Sequence, residues 1–118
     1  MSEDPQFRTV SAPDEFPWKT QSEVRFVPVQ LEGVLIGYLW AAVTDDAAGF
    51  VARGAAGRAG LVADLEWTRR LRWAKANGLT PLQALRHWVG AEEDPKAGAV
   101  SGTEEGAPST EALQARAS

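Results

Sequence analysis

The chain has 118 residues, a formal net charge of −4, no cysteine and one histidine, His87. This composition excludes disulfides, thiolate metal sites, thiol nucleophiles and the two-histidine zinc signatures, so we predict neither a metal site nor a cofactor. The longest apolar run, residues 34–43, is too short to cross a bilayer. We therefore expect a cytoplasmic protein with no membrane contact.

The polarity of the chain divides it into three parts. We predict a flexible N-terminal segment over 1–21, in which aromatic side chains such as Phe16 and Trp18 could dock on the core, and a compact domain over 22–90. The segment 91–118 holds six acidic residues against two basic ones and is poor in large apolar residues. That composition predicts a disordered acidic tail.

The domain opens with two apolar segments, 24–30 and 34–43, joined by residues 31–33 with a glycine at position 33. Glycine permits positive φ, so the pattern predicts a β-hairpin. In the second strand, regular alternation gives two apolar faces. One face holds Val34, Ile36, Tyr38 and Trp40, and the other holds Leu35, Leu39, Ala41 and Val43.

A two-faced apolar strand needs cover on both sides, and we expect the helices that follow it to cover only one face. Two candidates remain for the other face. The first is the N-terminal aromatic and aliphatic set Phe7, Val10, Phe16 and Trp18, and the second is another copy of the protein. A protein partner or a homo-oligomer formed through the hairpin face is therefore our expectation.

Residues 45–53 carry the signals of a short helix. Thr44 is a suitable N-cap, Asp45 and Asp46 suit the positive end of the helix dipole, and Gly54 is a suitable stop. A third strand over 49–53 is the competing prediction.

Apolar residues then recur at helical spacing over 62–77, with Trp67, Leu71 and Ala74 on one stripe. On the exposed side, Arg69, Arg72 and Lys75 form a basic ridge, and Trp73 lies beside it. These four residues are our candidate interaction surface. The alternative is an ordinary solvated helix face.

A third helix is predicted over 81–89. Thr80 is its N-cap, Pro81 occupies the first helical position, Gln83 completes a capping box and Gly90 ends it. The helices predicted over 62–77 and 81–89 allow a helix-turn-helix interpretation, which would imply weak nucleic-acid binding. The acidic balance of the chain opposes phosphate binding, so we prefer a plain helical hairpin and do not expect nucleic acid as a partner.

The loop "RGAAGRAG", residues 53–60, places glycines and arginines ahead of a helix. Residues 32–79 resemble the front half of GNAT-type acetyltransferases, whose glycine loop binds the pyrophosphate of coenzyme A. The resemblance implies a phosphate-binding set of Arg53, Gly54, Gly57 and Arg58 and a divergent acyltransferase. The alternative is a connector in which the glycines only let the chain turn.

Abundant alanine and a preference for arginine over lysine make the chain resemble small proteins of high-GC actinobacteria. We interpret the sequence as a small single α+β domain, a β-hairpin followed by three short helices, with disordered acidic termini. We assign no catalytic residue. The favoured function is a non-catalytic protein-interaction or self-associating module.

Overall fold

The computed structural model describes residues 15–118 and has an antiparallel sheet with three helices, as the α+β prediction requires. The strands are β1 (Val24–Leu31), β2 (Val34–Ala42), β3 (Ala48–Ala52), β4 (Ala99–Val100) and β5 (Glu105–Ala107). The helices are α1 (Arg58–Ala76), α2 (Pro81–His87) and α3 (Thr110–Ala117), and a 3₁₀ turn (Gly54–Ala56) precedes α1. Phe7 and Val10 lie outside the described residues.

The predicted hairpin of β1 and β2 is confirmed, and its turn is the tightest kind. Leu31 pairs directly with Val34, so only Glu32 and Gly33 form the loop. Both have positive φ, 52° and 81°, which is the backbone of a type I′ turn. That turn matches the right-handed twist of the flanking strands and fixes their register.

A β-bulge changes which residues of β2 share a face. Val29 pairs with Gly37 but Gln30 pairs with Leu35, so Ile36 is an extra residue on β2. The bulge reverses the alternation at that point. Ile36 therefore joins the core that contains Leu39, and Leu35 packs with the opposite cluster. The predicted face that combined Ile36 with Tyr38 was wrong for this reason.

Each face of the sheet has its own core. The larger core lies under α1 and α2 and includes Trp67, Leu85 and the N-terminal Phe16. The smaller core lies on the other face, where Leu113 and Ala117 of α3 are its helical residues. Its strand residues are Val24, Phe26, Tyr38, Trp40 and Ala42. The cover that we sought for the second face is thus α3, whereas Phe16 docks on the first face and Trp18 stays 69% exposed.

The prediction of a disordered tail over 91–118 needs correction, because this segment contributes strands β4 and β5 as well as α3. Ala97 is fully buried, and its carbonyl accepts a hydrogen bond of 2.9 Å from the indole Nε1 of Trp67. Leu113 is also fully buried. Three separate interactions order this segment despite its polar composition. They are the strand pairing, the indole hydrogen bond and the burial of one leucine.

The predicted helix over 45–53 was also wrong, and the competing strand prediction is close to the structure. Residues 44–46 form a turn in which the Asp45 carboxylate accepts a hydrogen bond from the Thr20 hydroxyl. Strand β3 follows and pairs with β2, with Gly49 opposite Trp40. A Cβ at Gly49 would lie 2.9 Å from the Trp40 ring, so this contact needs glycine. Pairing with β2 overrides the helix propensity of the alanines.

The two central helices follow their sequence signals. In α1 the residues Trp67, Leu71 and Ala74 are buried as predicted. In α2 both capping-box hydrogen bonds are present, from the Thr80 N–H to Gln83 Oε1 (2.9 Å) and from the Gln83 N–H to Thr80 Oγ1 (3.1 Å). Among residues 15–118, no helix is both long enough and apolar enough to span a membrane.

Leu113→Ala should lower the free energy of unfolding by about 2 to 5 kcal/mol, because it opens a cavity in the core between α3 and the sheet. Leu65→Ala in α1 is the matched control, since that leucine is 76% exposed, and its effect should stay within about 0.5 kcal/mol. Urea unfolding followed by tryptophan fluorescence measures both. Equal effects of the two substitutions would contradict the packing of α3.

Candidate functional site

The basic ridge predicted on α1 exists, but its charges are compensated within the chain. All three basic residues form ion pairs with acidic side chains from α1, from the β2–β3 turn or from the segment before β1. The pairs are Arg69 with Glu66, Arg72 with Glu15 and Lys75 with Asp46. Local neutralisation weakens the field that a phosphate backbone would meet.

Trp73, the fourth residue of the predicted surface, is 48% exposed and belongs to an aromatic cluster at the junction of α1 and α2. Its ring centroid lies 5.4 Å from that of His87 and 6.1 Å from that of Trp88. The guanidinium of Arg70 lies 6.0 Å from the centre of the Trp88 ring. These contacts give Trp73 a structural role in holding α2 against α1.

The helix-turn-helix interpretation would need the exposed side chains of α2 to reach nucleic acid. Arg86 instead donates two hydrogen bonds to the Glu104 carboxylate, at 2.6 and 3.1 Å. His87 packs against Trp73 and Trp88. Two of the polar side chains of α2 are thus already engaged.

The glycine loop 53–60 connects β3 to α1. Two of its glycines are explained by packing or by backbone conformation. Gly57 has φ +57°, a conformation that favours glycine. A Cβ at Gly60 would lie 3.1 Å from the Cβ of Ala52, so Gly60 lets α1 approach β3 closely. Arg53 and Arg58 are both exposed. The connector interpretation accounts for the glycines without a phosphate.

The sheet topology at this loop differs from the arrangement that the acyltransferase resemblance implies. The strand that precedes this loop, β3, lies at the edge of the sheet, beside β2 alone. The family's arrangement has a central strand there. The four residues Arg53, Gly54, Gly57 and Arg58 lie together at the start of α1. They are therefore next to an edge strand and do not lie at the centre of the sheet.

The two edges of the sheet differ. Strand β1 is covered along its outer edge by β4 at one end and by β5 at the other. Strand β3 has β2 on one side and, among the described residues, meets only a single backbone hydrogen bond on the other, from the Ala48 N–H to the Pro17 carbonyl (3.1 Å). The β3 edge is the open edge of the described fold.

The register identifies which backbone groups face outward on β3. The N–H of Ala42 donates to the Ala47 carbonyl and the N–H of Arg53 donates to the Ile36 carbonyl, so the odd-numbered residues of this stretch point toward β2. Backbone groups alternate in an antiparallel pair. The N–H and C=O of Phe50 and Ala52 therefore point away from the sheet, and neither has a hydrogen-bond partner within residues 15–118.

A cleft of about 560 Å³ runs along this edge. All five residues of β3 line it, and α1 contributes Asp64, Thr68 and Leu71 on one side of the sheet. Trp40 and Gln114 line it on the other side. The cleft thus combines an unpaired strand edge, apolar side chains and two acidic residues, Glu15 and Asp64.

Asp64 differs from Glu66, the other acid of α1, in having no cation partner among residues 15–118. Glu66 contacts both Arg69 and Arg70, and the hydrogen bond from Arg69 is the main cause that lowers the pKa of the Glu66 carboxyl. The Asp64 carboxylate has neither an ion pair nor a hydrogen bond within the described chain. Partial desolvation at the cleft raises the pKa of the Asp64 carboxyl above its usual value.

Within the same residues, no group of three or more histidine, aspartate and glutamate side chains is placed to hold a metal ion. Comparison of the chain with protein-family models, with curated proteins and with solved structures gave no match.

The cleft was missed in the sequence because the stretch that forms it was predicted to be a helix. The one available signal was the competing strand over 49–53. Even a correct strand prediction does not tell which strands pair with β3. Whether the backbone groups of Phe50 and Ala52 are exposed depends on where the C-terminal segment lies. Asp64 had no distinguishing pattern in the sequence.

Glu104→Gln should lower the free energy of unfolding at neutral pH by about 1 kcal/mol, because Glu104 bridges Arg86 and Arg25. Hydrogen bonds from Arg86 and then Arg25 lower the pKa of the Glu104 carboxyl in the folded chain. The stabilisation is therefore present above the ordinary pKa of a glutamate and is lost as pH falls through the lowered value.

Urea unfolding of the wild type and Glu104→Gln across this pH range measures the effect. Glu105→Gln is the control, because its partner Arg116 and Glu105 itself are both about half exposed. A difference between wild type and Glu104→Gln that persists unchanged in strong acid would contradict the ion-pair explanation.

Proposed function

We propose that the chain is a non-catalytic protein-interaction module that binds an extended segment of a partner protein along the open edge of β3. The observation that carries this proposal is the outward orientation of the Phe50 and Ala52 backbone groups into a cleft. An extended peptide that adds to a sheet edge supplies the missing hydrogen bonds, while side chains on alternate sides provide specificity.

The composition of β3 supports the proposal. Proteins commonly protect an edge strand with charged residues, proline or a bulge, because an open edge pairs with other chains. The sequence of β3, AGFVA, contains no charged residue and no proline. At five residues the strand is short, and its length suits a bound segment of about five residues.

A second copy of the chain fits this edge less well. Antiparallel pairing of two β3 strands would place both α1 helices on the same side of the sheet. Paired strands lie about 4.8 Å apart, whereas packed helices need about 8 to 10 Å. Since α1 lies close against β3 at Gly60, the two helices would collide. Self-association through the hairpin face also loses its basis, because α3 packs on that face.

The experiment is a selection of displayed random nine-residue peptides on the full chain, followed by binding measurements with the enriched peptides. We expect amide resonances of 48–53 to shift when such a peptide binds. N-methylation of the peptide at alternate residues should abolish binding, because it removes the hydrogen bonds to the strand edge. Failure to enrich any peptide, or binding that tolerates every N-methyl group, would contradict the proposal.

Ala52→Pro should weaken binding of the enriched peptides about tenfold or more, because it removes an outward N–H and places a ring on the edge. Glu111→Pro is the matched control. Position 111 lies in the first turn of α3, where proline is tolerated, and Glu111 is not among the residues that line the β3 cleft. Fluorescence anisotropy measures affinity, and urea unfolding verifies that both variants fold. Equal affinity in the two variants would overturn strand addition.

A further inference from the structure

We propose that Asp64 makes this cleft selective for an extended peptide that carries a lysine or arginine side chain. The inference rests on the proposed function and names the chemistry of its ligand. It follows from the charges that line the cleft and from the side of the sheet on which each of them lies.

The acids around the cleft are not equivalent. Glu15 lines the cleft but forms an ion pair with Arg72, which lines it as well. Asp64 also lines the cleft and has no cation partner within residues 15–118. An ion pair contributes nothing to net charge, so among the described lining residues the remaining charge is the negative charge of Asp64. The complementary ligand group is a cation.

The location of Asp64 decides which ligand side chain reaches it. Asp64 and Thr68 lie one turn apart on α1, on the same side of the sheet as Phe50. Successive side chains of an added strand point to opposite sides of the sheet. Only alternate side chains of the peptide therefore face α1, and one of these positions meets Asp64. The intervening side chains face Trp40 and Gln114 instead.

The energetics favour a bound cation at this place. Partial desolvation already disfavours the ionised form of Asp64, as the raised pKa of its carboxyl indicates. A peptide that closes the cleft removes more water from the carboxylate and increases that cost. A lysine or arginine at the facing position offsets the cost through an ion pair, whereas an apolar side chain does not.

The test uses the displayed peptide library on the wild-type chain, on Asp64→Asn and on Glu92→Gln. Glu92 is an exposed acid in the loop after α2, so its substitution controls for net charge. We expect peptides enriched on the wild type and on Glu92→Gln to share a lysine or arginine at one position. Peptides enriched on Asp64→Asn should still bind and should lack that preference.

A double-mutant cycle quantifies the contact. Replacing the shared basic residue by alanine should weaken binding to the wild type about fivefold and leave binding to Asp64→Asn unchanged. Enriched peptides that depend on the β3 edge but show no basic preference, or the same preference on both chains, would overturn the role of Asp64 and leave the proposed function intact. Enrichment of no peptide at all would overturn both.

Discussion

Strand β2 carries large apolar side chains on both faces, and the rest of the fold depends on burying both of them. Leu39 faces the core under α1 and α2, whereas Trp40 faces α3, and each is almost completely buried. Each such side chain contributes about 1.5 to 3 kcal/mol when it leaves water. A domain of this size cannot leave either face open, so the chain must provide two layers of cover.

The second layer comes from the C-terminal segment, and this explains both the closed and the open edge of the sheet. On its way to α3 the segment lines the outer edge of β1 through β4 and β5 and places Ala97 beneath Trp67. The segment pairs with β1 and not with β3, so among the described residues the short contact at Pro17 is the only backbone partner of the β3 edge. The candidate binding site is a consequence of how the two faces are buried.

Local chemistry in the sequence was sufficient for the hairpin turn, for the start of α2 at Thr80 and for the buried stripe of α1. It was insufficient wherever a distant partner decides the outcome. Residues 48–52 form a strand because β2 pairs with them, and Leu113 is ordered because Trp40 and its neighbours need cover. The bulge at Ile36 reverses which residues of β2 share a face of the sheet. The pattern of residues along the strand gives no sign of this bulge. Asp64, the proposed specificity residue, can act in specificity only because it lies beside the cleft, and the sequence does not reveal the cleft.

The central claim is that the β3 edge is open, and amide hydrogen exchange of the full chain without ligand tests it most directly. Gly49 and Val51 point their N–H groups toward β2, whereas Phe50 and Ala52 point theirs outward. The account predicts slow exchange at the first pair and much faster exchange at the second, in strict alternation along the strand. Equal protection at all four amides would show that the edge is already covered and would contradict it.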